Sequence, residues 1–205
     1  MPNGDVEAVS LGRLVKVCKG KQVNGVLLSD RISSPITLLY HSEMDEASEL
    51  FVLYKQYSNN GKIWLMLGLD TTGSDYYDIL SIAECLAKEG HEVKVLHAVH
   101  YKDPLYRAVF GELIGTRYFR KCPDLLVDGE YVEYESYKTD QHKKAFRNML
   151  HNGLSQSERI ILRHCFLTDG YMSQQIRGQI NNGVPVSCVW IFDGSEVRVL
   201  YNTEG

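Results

Sequence analysis

The sequence predicts an α/β protein with a central mixed β-sheet flanked by helices, and three observations lead there. Short apolar or alternating runs, as at 63–69, 91–96 and 186–192, alternate with stretches whose apolar residues recur at helical spacing, as at 75–89. Two Asp-Gly steps, Asp128-Gly129 and Asp193-Gly194, each stand between apolar runs, the strongest short-range sign of a β-hairpin. With 205 residues and 44% hydrophobic content the chain can bury a full core. We expect one elaborated domain over 1–205: an N-terminal extension over 1–70, a core over 75–165 and a C-terminal helix and hairpin over 166–205.

In chain order, Leu14–Val17 and Val26–Leu28 are short strand candidates around the Val23-Asn24-Gly25 turn. Ser42 and Asp45 form a capping box ahead of Ala47, Leu50, Phe51, Leu53 and Tyr54, which predicts a helix. Ile63–Leu69 is wholly apolar and reads as a buried strand. Ser74 or Asp75 caps a helix carrying Ile79, Leu80, Ala83, Leu86 and Ala87 on one stripe, closed by Gly90. His91–Leu96 alternates as a strand, and 103–115 is helical but irregular. Thr139 or Asp140 opens a helix ending near Gly153. Arg159–Leu162 is a strand, Ser173–Ile180 a helix, and Val186–Phe192 pairs with Glu196–Tyr201 across the second Asp-Gly turn.

Composition narrows the function classes. No apolar run approaches a membrane span, and the N-terminus lacks the basic and apolar regions of a signal peptide, so the expected compartment is the cytoplasm. Five scattered cysteines without a Cys-x-x-Cys pair argue for free thiols over disulfides or zinc. A net charge of −4 gives no overall attraction for polyanions, so nucleic-acid binding needs a local patch. Two exist. Lys102, Arg107, Arg117, Arg120 and Lys121 precede the first hairpin, and Lys138, Lys143, Lys144, Arg147, Arg159 and Arg163 follow it. A solvated helix face explains the second group equally well.

The hairpin itself carries the chemistry. With Asp128-Gly129 as a two-residue turn, Leu125 faces Val132 and Asp124 falls opposite Glu133, with Glu135 further along the same face. Opposed side chains sit ~4.5–5.5 Å apart, where like charges repel. A divalent cation offsets that repulsion, since Mg²⁺ is held by one or two carboxylates with water and phosphate completing its shell. A register slip that separates the acids on a solvent-facing hairpin is the alternative.

From residue 75 the order helix, strand, strand, strand, helix, strand, with Pro123-Asp124 on the second strand and Glu133-x-Glu135 on the third, resembles the PD-(D/E)xK nuclease superfamily. More narrowly, "LAKEGHEVKVL", "CPDLLVDGEYVEYESY" and "LSQSERIIL" are similar to the C-terminal tRNA-nuclease domain of CdiA-type contact-dependent growth-inhibition toxins. The resemblance covers roughly residues 75–200. It implies a restriction-endonuclease-like αβββαβ core with N- and C-terminal elaborations, and metal-dependent hydrolysis of nucleic acid, RNA in particular. Residue by residue, it implies Asp124 and Glu133 as ligands of Mg²⁺ or Mn²⁺, Glu84 on the first core helix as an assisting acid, and Gln156 as a polar neighbour of the site. Lys143, Lys144 and Arg147 are the expected phosphate contacts. The departure is Glu135, which stands where the superfamily carries lysine. A carboxylate cannot donate a hydrogen bond to developing phosphate charge as lysine does, so Glu135 is expected as a third metal ligand or a water-orienting group. The competing expectation is a nuclease-fold module that has lost catalysis and binds nucleic acid or protein.

Overall fold

The computed structural model describes residues 50–137 and 141–203. The strand candidates at 14–17 and 26–28, the Ser42 capping box, Lys138 and the Thr139 or Asp140 cap lie outside the described residues.

Among the described residues eight strands form one sheet in strict sequence order. They are β1 (Phe51–Gln56), β2 (Lys62–Met66), β3 (Glu92–Val95), β4 (Leu125–Val127), β5 (Glu130–Glu135), β6 (Arg159–Arg163), β7 (Cys188–Phe192) and β8 (Val197–Asn202). Pairs β2–β3, β5–β6 and β6–β7 are parallel and the other four antiparallel. The described helices are α1 (Tyr76–Lys88), α2 (Pro104–Phe110) with a 3-10 turn at Gly111–Leu113, α3 (His142–Leu154) and α4 (Asp169–Asn181). The expected mixed sheet flanked by helices is present. So is the αβββαβ succession, as α1, β3, β4, β5, α3 and β6, with α2 inserted before β4.

Three expectations change. The helix expected to reach Tyr54 gives way to strand β1, because the run Phe51-Val52-Leu53-Tyr54 is too short for its period to separate helix from strand. A turn over Tyr57–Gly61 folds that run back onto β2. Gly61 is required there: a Cβ would lie 1.8 Å from the Ala87 carbonyl oxygen, so only glycine lets the turn dock on the end of α1. Strand β2 stops at Met66 rather than Leu69, since the chain turns at Gly68 with φ +84°. Helix α4 starts four residues earlier than expected, on a Thr168 cap whose hydroxyl accepts from Tyr171 N–H.

Alternation along the strands sends apolar side chains to both faces. Ile63, Val93, Val95, Leu125, Val132, Ile161 and Phe192 pack under α1 with Ile82, Ala83 and Leu86. On the opposite face two clusters form. Met66 and Leu96 pack with Tyr106 and Phe110 of α2, flanked by Leu126 and Tyr131. Ile160, Leu162, Val189 and Ile191 pack with Phe146 and Met149 of α3 and Met172 and Ile176 of α4. Strand β5 runs between these two clusters, and its positions on that face after Tyr131 are Glu133 and Glu135.

Candidate functional site

The β4–β5 hairpin turns on Asp128 (φ +49°) and Gly129 (φ +90°), both left-handed as a two-residue primed turn requires. The Asp128 carboxylate accepts from Glu92 N–H at 2.8 Å and pairs with His91 Nδ1 at 2.6 Å, which ties the turn to the start of β3. The register is then Val127 with Glu130, Leu126 with Tyr131 and Leu125 with Val132. Asp124 lies at the bend just before β4, one step beyond this ladder, where its carboxylate accepts from Tyr134 N–H and its own backbone N–H reaches the Glu133 carboxylate. Leu125 and Val132 bury under α1, so the acids take the other face.

Here carboxylates accumulate, and none of them forms an ion pair among the described residues. Glu133 is 5% exposed and is the one charged residue fully buried among those described. Burial first, then the charges of Asp124 and Glu135, pushes its carboxyl well above the usual range, against hydrogen bonds from the Asp124 backbone and Gln156. Asp124 rises to about 6 through burial and the charge of Asp75, although one of its oxygens accepts from Tyr134 N–H at 3.0 Å. Glu135 rises to about 7 through burial and the charges of Asp124 and Asp75. Gln156 donates its amide to Glu133 Oε1, while Glu133 Oε2 is buried with no hydrogen-bond partner.

That orphaned oxygen tests whether a metal suits the residues. A buried acceptor without a donor costs roughly 1–3 kcal/mol. Two opposed carboxylates offering hard oxygen atoms suit Mg²⁺ or Mn²⁺, provided water and phosphate complete the shell. The three-carboxylate cage expected from the sequence is not formed: among the described residues no group of three or more His, Cys, Asp or Glu side chains is placed to hold a metal. Glu135 shares the face and the field of Asp124 rather than a common ligand position.

The other expected residues divide. Gln156 joins the carboxylates through the α3–β6 loop. Glu84 does not: it pairs with Lys55 of β1 at 2.9 Å on the exposed side of α1. The end of α1 that meets the acids is its N-terminus, ~13 Å away at 1.5 Å per residue. There Asp75 takes the N-cap position, one of the two the sequence offers, but its carboxylate makes no cap bond and accepts from Ser136 Oγ at 2.9 Å. Asp75 is the acid that sequence reasoning missed, its field reaching both Asp124 and Glu135. Lys143, Lys144 and Arg147 line a separate groove with Gln141, His142 and Leu167.

The cations that share a groove with Gln156 are Arg120 and Lys121, with His100, Tyr101 and Cys122. Arg120 lies over the Tyr101 ring at 4.3 Å and near Phe119 at 5.3 Å. The buried Tyr106 hydroxyl accepts from Arg120 N–H at 2.8 Å and donates to the Lys121 carbonyl, holding Arg120 in a left-handed turn at φ +72°. Neither cation pairs with a described carboxylate. The four described cysteines are free thiols, and no described helix is long and apolar enough to cross a membrane.

No family model and no curated protein matches the sequence. Among solved structures the chain is similar to one from the CdiA-CT/CdiI toxin and immunity complex of Burkholderia pseudomallei. The identity is 16% and the TM-score 0.39, over 65% of this chain and 89% of that chain.

Proposed function

We propose that this protein is a metal-dependent nuclease of the PD-(D/E)xK type, hydrolysing phosphodiester bonds of nucleic acid. The observation that carries the reading is the pair Asp124 and Glu133, desolvated against each other at the open end of the β4–β5 hairpin, with Glu133 Oε2 left without a described donor. Asp124 and Glu133 would hold Mg²⁺ or Mn²⁺, which supplies positive charge against the phosphate and makes water easier to deprotonate. Gln156 fixes the Glu133 carboxylate through Oε1, so that Oε2 is the atom presented. Glu135, at about 7, exchanges a proton near neutral pH and takes the role of general base. Arg120 and Lys121, beside Gln156, bind the phosphates that flank the scissile bond. The resemblance to CdiA-type tRNA nucleases makes RNA the first substrate class to try.

A second reading is a catalytically silent module that binds nucleic acid or protein through the same surface. Glu135 in the lysine position favours it, as does the lack of a three-ligand group among the described residues. Incubating the full chain with tRNA, single-stranded DNA and duplex DNA in Mg²⁺, Mn²⁺ or EDTA decides between them. Cleavage with metal and none in EDTA is expected. Folded protein that neither cleaves any of these nor binds metal by calorimetry is the silent module.

A further inference from the structure

The groove at the start of α3 continues into the loop after β6, and the residue at their junction is unusual. Phe166 is 75% exposed and sits at φ +52°, a left-handed backbone that bulky side chains rarely adopt. It gains little from burial and bears a strained backbone, so stability does not account for it. Its neighbour Cys165 is fully buried, and His164 N–H donates to the Phe192 carbonyl, so the loop is anchored on both counts. His142 and His164 make T-shaped contacts with the Phe166 ring, with centroids at 5.5 and 5.0 Å. At 75% exposure most of the Phe166 side chain still faces solvent.

Beside this ring, Lys143, Lys144 and Arg147 line a groove of about 470 Å³ with His142 and Leu167. None of the three pairs with a described carboxylate, and Lys143 lies over the Tyr171 ring at 5.4 Å instead. Strands β5 and β6 are parallel with Glu135 beside Leu162, so the Phe166 loop leaves the sheet at the end where Glu135 sits.

We infer that Phe166 is a stacking platform for an unpaired base of a single-stranded nucleic acid whose backbone runs along Lys143, Lys144 and Arg147. The geometry supplies both parts such a ligand needs, an exposed aromatic ring and, next to it, cations that pair with no described carboxylate. An acidic protein would use the cations but leaves the exposed, strained ring without a purpose. The inference rests on the nucleic-acid reading above and is independent of catalysis.

The test is fluorescence anisotropy in EDTA with a labelled single-stranded oligouridylate, a matched RNA duplex, and polyglutamate of similar charge as competitor. We expect Phe166→Ala to weaken single-strand binding roughly tenfold, Phe166→Tyr to retain it within about twofold, and duplex binding to be unchanged by either. Phe166→Gly should weaken single-strand binding equally while keeping or raising the melting temperature, which separates loss of the ring from loss of fold. Lys143→Ala and Arg147→Ala should lower affinity for both nucleic acids and flatten the salt dependence. Wild-type single-strand affinity in Phe166→Ala, or polyglutamate competing as well as unlabelled oligouridylate, would overturn the proposal. Cleavage in Mg²⁺ is scored separately. Ring-dependent binding without cleavage removes the enzyme reading and keeps this one, and cleavage with ring-independent binding does the reverse.

Discussion

Strand β5 handles acids in opposite ways on its two faces. Under α1, Asp78 accepts from the Tyr134 hydroxyl at 2.6 Å and from Arg163 Nη1 at 2.9 Å, so its charge is matched by a cation and its oxygens by donors. Across the sheet, Asp124, Glu133 and Glu135 are pushed together with two backbone N–H groups and one amide between them, and no described cation pairs with them. A matched acid needs nothing further. An unmatched cluster raises the folded state's energy until something from outside brings positive charge, which is why the second face and not the first reads as a site.

The difference can be broken most severely at Asp124. Asp124→Asn should abolish metal-dependent cleavage of RNA in a gel assay while leaving the melting temperature in EDTA unchanged or higher, because it removes repulsion. Next in size is the paired face. Asp78→Ala leaves Arg163 and the Tyr134 hydroxyl without their acceptor, and should cost roughly 2 kcal/mol, a fall of about 4–8 °C in calorimetry, with or without metal.

A third effect follows from protons. Folding raises the carboxyls of Asp124, Glu133 and Glu135, so the folded state binds protons more tightly than the unfolded chain. The penalty is absent below about pH 3, where both states are protonated, and builds from about pH 4 upward through the folded values of Asp124, about 6, and Glu135, about 7, with Glu133 adding to it in the same direction. In EDTA these groups should therefore lower the melting temperature as pH rises through that window. Mg²⁺ should restore it at pH 7.5 and do little near pH 4.5, and Asp124→Asn should flatten the profile. The smallest effect belongs to Glu84. Its exposed pair with Lys55 is worth ~0.5 kcal/mol, so Glu84→Gln should shift melting by about 2 °C or less and leave cleavage as it was.

What the sequence disclosed and what it hid differ for physical reasons. The hairpin was legible because a two-residue turn fixes parity: once Asp128-Gly129 is the turn, burial of Leu125 and Val132 under one helix forces Asp124 and Glu133 to the other face. Helix α1 was legible from its apolar stripe, but which end of it meets the sheet's acids is a matter of tertiary placement. That is why Glu84 was expected at the site and Asp75 was assigned to the helix cap. Arg120 was legible only as one of five cations ahead of the hairpin. Its place beside Gln156 depends on a left-handed turn held by the Tyr106 hydroxyl fourteen residues away in sequence, a contact no periodicity encodes. Strand β1 was hidden for the opposite reason, since its apolar run fits either period and β2 decides.

The tight turn at Asp128 also bears on the order in which this chain acquires its structure. Hairpins closed by two residues form in about 1–10 μs, whereas β6 can join β5 only after the α3 crossover has been gathered. Asp124 and Glu133 are thus brought together while still surrounded by water, where two charges 4 Å apart interact by only about 1 kcal/mol. The heavy cost arises later, when α2 and α3 shut solvent out from above them. Substitutions in the hairpin, such as Val127→Ala, should then slow refolding in stopped-flow measurements. Asp124→Asn should leave the refolding rate nearly untouched and act on unfolding instead, the kinetic mark of a repulsion that matures after the barrier has been crossed.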